Sequence, residues 1–286
     1  MNFVYAKHIH NSVIHHIFLQ TAVQYISDVA GVADGRQPQQ AHGGGRRVEI
    51  QHEIVRQGAS MSEGQSPEPP WVRIESGDAV MLYDPSCGSN LSHVATLQWF
   101  DPAFWQSRSA IAGSAAGRGS TLFIETDGID WALRHYHRGG LLAPWLGDRY
   151  FDRGEATSRP IEEFHLTRRL RYLGLPVPTV VAARYVRSGR FYRGDLITER
   201  IADARTLAMR IAALDLYDED WRSIGQLVAR FHRAGLDHAD LNAHNILQGA
   251  DGRWWMIDFD RGRLRERGLW CDANLVRLRR SILKVG

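Results

Sequence analysis

The stretch that most constrains this chain is His238-Ala239-Asp240-Leu241-Asn242-Ala243-His244-Asn245, with Ile257-Asp258-Phe259-Asp260 following a short interval later. Asp240 can accept a proton from an attacking hydroxyl, while Asn245 and Asp258 offer hard oxygens suited to Mg²⁺. Asp258 lies 13 positions after Asn245, room for a short hairpin between them. Residues 246–248 and 254–257 read as its strands and Gly249-Ala250-Asp251-Gly252 as its turn. That hairpin would set both metal-ligand candidates on one rim of a cleft. Singly, each residue has a plainer explanation: His-x-Asp is often a surface loop, and an acid after apolar residues often caps a turn. In this order and spacing, H-x-D-L-x-x-x-N followed by I-D-F, they point to phosphoryl-transfer chemistry.

Composition limits the alternatives. A chain of 286 residues, 44% of them hydrophobic, can form one large domain or two lobes. No run reaches the roughly 18 uncharged apolar residues that a bilayer span requires. Cys87 and Cys271 are the only cysteines, which supports neither a disulfide framework nor a Cys-rich zinc site. A reducing cytosol is the simplest home. Lys7 and Lys284 are the only lysines among 35 basic Lys and Arg residues. Any phosphate anchor in the body of the chain is therefore an arginine, or is absent.

Taken in order, residues 1–60 look unlike the rest, holding six of the 13 histidines, the run Gly43-Gly44-Gly45 and none of the nine tryptophans. They are expected to be a disordered extension, or to lie upstream of a true start at Met61; the apolar stretch at 13–32 lacks the features of a signal peptide. Residues 61–70 read as a linker. Strands are expected at 72–74 and 79–83, and a short helix or apolar flap at 94–107. The glycine-rich stretch from Ala112 to Ser120, with Gly113, Gly117 and Gly119, reads as a turn whose backbone N–H groups could approach phosphates. Two strands follow, joined at Asp127-Gly128, and the second carries Trp131-Ala132-Leu133-Arg134. Arg134 stands where protein kinases carry the lysine of Val-Ala-Ile-Lys. Arginine keeps that charge and can bind phosphate bidentately.

Residues 141–151 are apolar and could form a flap. Pro160 opens a helix at 161–173 in which Glu163, Leu166, Leu170 and Leu173 share one face. That face makes Glu163, rather than Glu162, the expected partner of Arg134. Strands at 177–185 and 196–199 lead to a hinge near Glu199, whose backbone could meet adenine. A helix at 221–234, closed by Gly235, delivers the chain to the His238 loop. Asp260, which replaces the glycine of the usual D-F-G, is expected to pair with Arg261 or Arg263.

These pieces resemble the 3-deoxy-D-manno-octulosonic acid (Kdo) kinases of Gram-negative bacteria, over about residues 71–286. The resemblance rests on Leu133-Arg134-His135-Tyr136 with Arg138-Gly139-Gly140, on Leu173-Gly174-Leu175-Pro176-Val177-Pro178, and on the two loops with their extensions to Leu247 and Gly262. It implies an α+β, bilobal protein-kinase-like fold, with a β-rich N-lobe at 71–200 and a small, mostly helical C-lobe at 201–286. It also implies ATP and Mg²⁺ as cofactors, and transfer to the 4-hydroxyl of Kdo on a lipid A precursor at the cytoplasmic face of the inner membrane. Asp240, Asn245 and Asp258 would be catalytic, Asn245 and Asp258 also metal ligands. Gly113, Gly117, Gly119, Arg134, Glu163 and Glu199 would bind the nucleotide.

Lipopolysaccharide heptose kinases and aminoglycoside kinases share the two loops, so the acceptor rests on the longer strings. The basic run 134–138 favours an anionic acceptor over a cationic one. A non-catalytic kinase-like module is the remaining rival, and the intact Asp240, Asn245 and Asp258 weigh against it. No nucleic-acid partner is expected, and the oligomeric state is left open. Residues 261–286 hold seven arginines and Lys284 against Glu266 and Asp272. With Leu275, Leu278 and Ile282 at helical spacing, they predict a final helix with a basic outer face, suited to a peripheral site on an anionic membrane.

Overall fold

The structure is a computed structural model and describes residues 70–87, 95–115, 121–126, 128–137 and 147–286. The expected extension at 1–60, nearly all of the linker, Gly117, Gly119, Arg138 and most of the expected 141–151 flap lie outside the described residues.

Eight strands form one antiparallel sheet among the described residues: β1 Val72–Ser76, β2 Ala79–Tyr83, β3 Ile111–Ala115, β4 Thr121–Thr126, β5 Ile129–His135, β6 Tyr150–Phe151, β7 Val180–Ser188 and β8 Phe191–Glu199. Their spatial order is β1-β2-β7-β8-β5-β4-β3, with β6 beside β8. Alternation along β5 decides what each face receives. Ile129, Trp131 and Leu133 are buried on one face, in a core with Trp99, Phe100 and Trp105. Arg134 and Tyr136 project from the other, as period-2 geometry requires.

The expected helix or flap at 94–107 is a 3₁₀ turn at Leu97–Phe100 followed by helix α1, Pro102–Gln106. The Asp101 carboxylate caps α1 by accepting the Ala103 N–H at 2.9 Å. The opposite face of the sheet is covered by helix α2, Arg159–Tyr172, whose Ile161 and Phe164 pack on Val80, Leu82 and Leu196.

Two expectations need correction. Ala112, Gly113 and Ser114 belong to strand β3 and not to a turn, because Gly113 and Ser114 pair with Phe123 and Leu122 of β4 and Ala112 fills the bulge between Ile111 and Gly113. Strand β7 lies three residues later than the expected 177–185, and β8 starts five residues before the expected 196, the two meeting at a turn where Gly189 has φ +61°. Their far ends carry Arg187, Arg190 and Arg193, which hid the apolar alternation.

The second lobe is built from β9 Arg205–Thr206, helix α3 Leu207–Ala212, helix α4 Asp218–Arg233, β10 Leu236–Asp237, β11 Ile246–Gln248, β12 Trp254–Met256, β13 Arg263–Leu264 and helix α5 Trp270–Val285. The hairpin β11–β12 forms where the sequence placed it, with β9 added on its open edge. Helix α4 buries Trp221, Ile224, Leu227, Val228 and Phe231 on one face. It carries three acids in its first turn and Arg230, His232 and Arg233 in its last, as the helix dipole favours. Gly235 then turns the chain at φ +83°, where a Cβ would lie 2.6 Å from the Arg265 carbonyl. Leu278 and Ile282 of α5 are buried in the same core, with Leu275 packed against it.

Candidate active site

The loop after α4 is held by its own backbone and by α5. His238 is buried, with its Nε2 3.1 Å from the Ile257 carbonyl and its Nδ1 accepting the Asp240 N–H at 3.2 Å. Both bonds together require neutral imidazole with the proton on Nε2. Burial pushes its pKa below the usual histidine range, which agrees with that form. The Asn245 side chain donates from Nδ2 to the Asp240 carbonyl at 2.9 Å, and the Asn245 carbonyl accepts the Ile257 N–H at 3.0 Å. The H-x-D…N loop and the start of the I-D-F segment are thus one hydrogen-bonded unit.

Asp258 sits at φ +64°, a left-handed conformation that Asp tolerates better than most residues. Its carboxylate pairs with one nitrogen of Arg134. Burial acts to raise the Asp258 pKa, but the charge and hydrogen bond of Arg134 outweigh it, and the net direction is down. The other terminal nitrogen of Arg134 donates to Glu163 at 2.5 Å and to the Tyr136 hydroxyl at 3.0 Å. Glu163 is 3% exposed, accepts the Tyr136 O–H, and on its second oxygen accepts the Phe259 N–H at 3.1 Å. Burial raises the Glu163 pKa, against the pull of Arg134. Glu162, its neighbour, is exposed. One guanidinium therefore joins β5, α2 and the Asp258 loop.

The remaining expected residues lie apart from this knot. Gly113 is in β3, and Glu199 ends β8 with an exposed side chain. The Glu199 and Arg200 N–H groups are bonded to the carbonyls of Thr179 and Asp130, each at 2.8 Å, so adenine there could not use those two donors. Asp260 forms the expected ion pair with Arg261 at 3.8 Å, but a closer partner holds it: Arg159, with Nε donating at 2.6 Å. Tyr136, Arg159 and Asn274 were missed as site residues. Tyr136 was legible, because it follows Arg134 by two on the same strand face. Arg159 left no sequence signal, being 101 positions from its partner. Among the described residues no group of three or more His, Cys, Asp or Glu side chains could hold a metal by itself. The oxygens of Asp258 and Asn245 suit an ion that keeps water and takes the rest of its ligands from substrate phosphates.

An antiparallel sheet whose arginine meets a buried glutamate, together with a helical lobe that carries H-x-D…N and I-D-F, defines a kinase-like phosphotransferase acting on a hydroxyl. The sequence profile of the lipopolysaccharide kinase (Kdo/WaaP) family matches residues 102–286. The chain is 48% identical over 187 residues to a 3-deoxy-D-manno-octulosonic acid kinase of Xylella fastidiosa (strain 9a5c), covering 65% of this chain and 74% of that protein. It is 43% identical over 188 residues to the Vibrio vulnificus (strain YJ016) protein of the same name, covering 66% and 80%. It is 48% identical over 187 residues to that of Stenotrophomonas maltophilia (strain K279a), covering 65% and 74%. This chain belongs to the lipopolysaccharide kinase (Kdo/WaaP) family.

Proposed function

We propose that this protein transfers the terminal phosphoryl group of ATP to a Kdo hydroxyl on a lipid A precursor, the 4-hydroxyl being the position its family resemblance implies. The observation that carries the proposal is the joining of Arg134, Glu163 and Asp258 beside the Asp240–Asn245 loop, in a chain close in sequence to Kdo kinases. On this reading the lobes divide as residues 71–200 and 201–286.

Each residue has a defined task. Asp240 orients the acceptor hydroxyl and takes its proton; among the described residues no side chain bonds its carboxylate. Asp258 and Asn245 are the Mg²⁺ ligands. Asn245 uses its Nδ2 within the loop, which leaves Oδ1 for the metal, and Arg134 keeps Asp258 ionised. When bound, Mg²⁺ would neutralise charge on the ATP phosphates. Arg134 supplies the phosphate-binding cation, oriented by Glu163 and Tyr136, and positioning of this kind carries most of phosphoryl-transfer catalysis. Gly113, Gly117 and Gly119 would line the phosphates, and carbonyls near Glu199 would meet adenine.

Among the described residues no helix is long and apolar enough to cross a membrane. We place the protein as a peripheral partner of the anionic cytoplasmic face of the inner membrane, where its acceptor lies. The test is transfer of labelled phosphate from ATP to a Kdo-lipid A acceptor compared with a heptose-containing core. Label is expected on the Kdo acceptor, and Asp240→Asn should lower turnover by about two orders of magnitude or more while nucleotide binding persists. Label on heptose alone would overturn the acceptor, and near-normal turnover in Asp240→Asn would overturn the base.

A further inference from the structure

Asp260 occupies the place where D-F-G loops carry glycine, so the usual loop has no side chain there. Here the carboxylate is gripped from two directions by one guanidinium. Arg159 Nε donates to Oδ1 at 2.6 Å, and a terminal nitrogen of the same side chain meets Oδ2. Such forked pairs fix orientation as well as distance. The side chains are 21% and 16% exposed, so water competes for little of the contact.

Arg159 is itself immobilised. It opens helix α2, and its backbone N–H donates to the Tyr192 hydroxyl at 3.1 Å. Its guanidinium lies 4.9 Å from the centre of the Tyr150 ring and 5.7 Å from that of Tyr136. Pro160 beside it packs so closely on β8 that a Cβ at Gly194 would fall 2.5 Å from the proline Cγ. One helical turn further on, Glu163 accepts the Phe259 N–H. Helix α2 therefore holds two successive residues of the loop, Phe259 through its backbone and Asp260 through its carboxylate. Asp258 precedes them directly, in its left-handed conformation.

We propose that Arg159 and Asp260 form a latch that fixes the Asp258 loop to helix α2, making Asp260 a positioning residue and not a metal ligand. The proposal rests on the reading of Asp258 as the Mg²⁺ ligand, and it deepens that reading by naming what orients the ligand. A two-by-two set of variants separates the roles: Arg159→Ala, Asp260→Ala and both together. Two quantities are measured, the Mg²⁺ concentration for half-maximal turnover and hydrogen exchange at the Phe259 amide in metal-free protein. A latch predicts that each single variant raises the Mg²⁺ requirement about tenfold, that the double is no worse than either, and that Phe259 exchange quickens about tenfold in all three. A metal-ligand role for Asp260 predicts a higher Mg²⁺ requirement in Asp260→Ala only, with metal-free exchange unchanged. That pattern, additive losses, or unchanged exchange in either single variant would overturn the latch. Melting temperature identifies variants that fail to fold. Arg159→Lys and Asp260→Asn then replace them, with the same pattern expected at smaller size. Asp258→Asn is the control: an unaltered Mg²⁺ response would sink the metal-ligand reading, while the exchange data would still decide the latch.

Discussion

At Arg134 one guanidinium serves Asp258, Glu163 and Tyr136 at once. A lysine ammonium is a point donor without that planar fork, so Arg134→Lys should keep the charge yet lose about tenfold or more in turnover. Glu163→Ala should match Arg134→Ala, because Glu163 also holds the Phe259 N–H. Steady-state kinetics of the three variants checks both statements. A near-normal kcat in Glu163→Ala would show that the buried pair serves folding alone.

His135, on the opposite strand face, supports a pH prediction. Its Nδ1 is 2.6 Å from Asp195 and its Nε2 3.1 Å from Asp148, while Arg184 and Arg193 bind the same two acids. The hydrogen bond to Asp195 leads in raising its pKa above the ordinary 6.5, with burial opposing. A raised folded pKa gives stability fully present below the unfolded value and lost as pH rises through the folded one. His232, pushed down by burial to about 4, and His238 act with the opposite sign, adding stability above 6.5 that is lost as pH falls. The difference between wild type and His135→Gln isolates the first effect. The variant should melt below wild type at pH 6, with the gap narrowing toward alkaline pH. A gap constant with pH would contradict this assignment.

Among the elements, helix α5 anchors the His238 loop. Asn274, 1% exposed, accepts the His238 N–H on Oδ1 at 3.0 Å and donates from Nδ2 to Asp237 at 3.0 Å. Ser281 accepts the Ala243 N–H at 3.0 Å, and Arg277 donates to the His238 carbonyl at 3.2 Å. Removing Asn274 strands a buried donor. Asn274→Ala should therefore cost about 1–3 kcal/mol by denaturant unfolding and lower turnover more than ATP affinity. The apolar period of this helix was readable in the sequence. Asn274 was not, because a polar residue in an amphipathic pattern looks like part of the solvent face. The same helix period did separate Glu163 from Glu162, since burial of one stripe is a local property of the spacing.

For the whole molecule, the outward side of α5 bears on where the enzyme works. Leu269, Val276 and Leu283 recur every seven residues and are 86%, 48% and 42% exposed. Arg279, Arg280 and Lys284 lie exposed around them. An apolar stripe with a cationic border suits the interface of an anionic bilayer, where each basic residue contributes about 1 kcal/mol. Binding to anionic vesicles is expected, weakening as salt rises through physiological strength. Charge reversal at Arg279 and Arg280, or Val276→Ser with Leu283→Ser, should reduce vesicle binding and activity on lipid-embedded acceptor. Activity on a soluble Kdo fragment should survive. Equal loss on both acceptors would mean that the helix serves only the fold.

Local spacing is enough to specify the two loops, their connecting hairpin, the strand that carries Arg134 and the helix face that carries Glu163. Each is a matter of spacing or period within a few residues, and such patterns act before any distant contact forms. Only the tertiary contacts decide that Gly113 joins a strand, that Arg159 meets Asp260, that Asn274 holds the His238 loop, and which apolar residues along α5 are left outside the core. These outcomes depend on pairing between segments far apart in the chain. Arg134 and Asp258 lie 124 positions apart, and no local pattern specifies that meeting. It follows from packing the sheet, α2 and the helical lobe around one buried carboxylate.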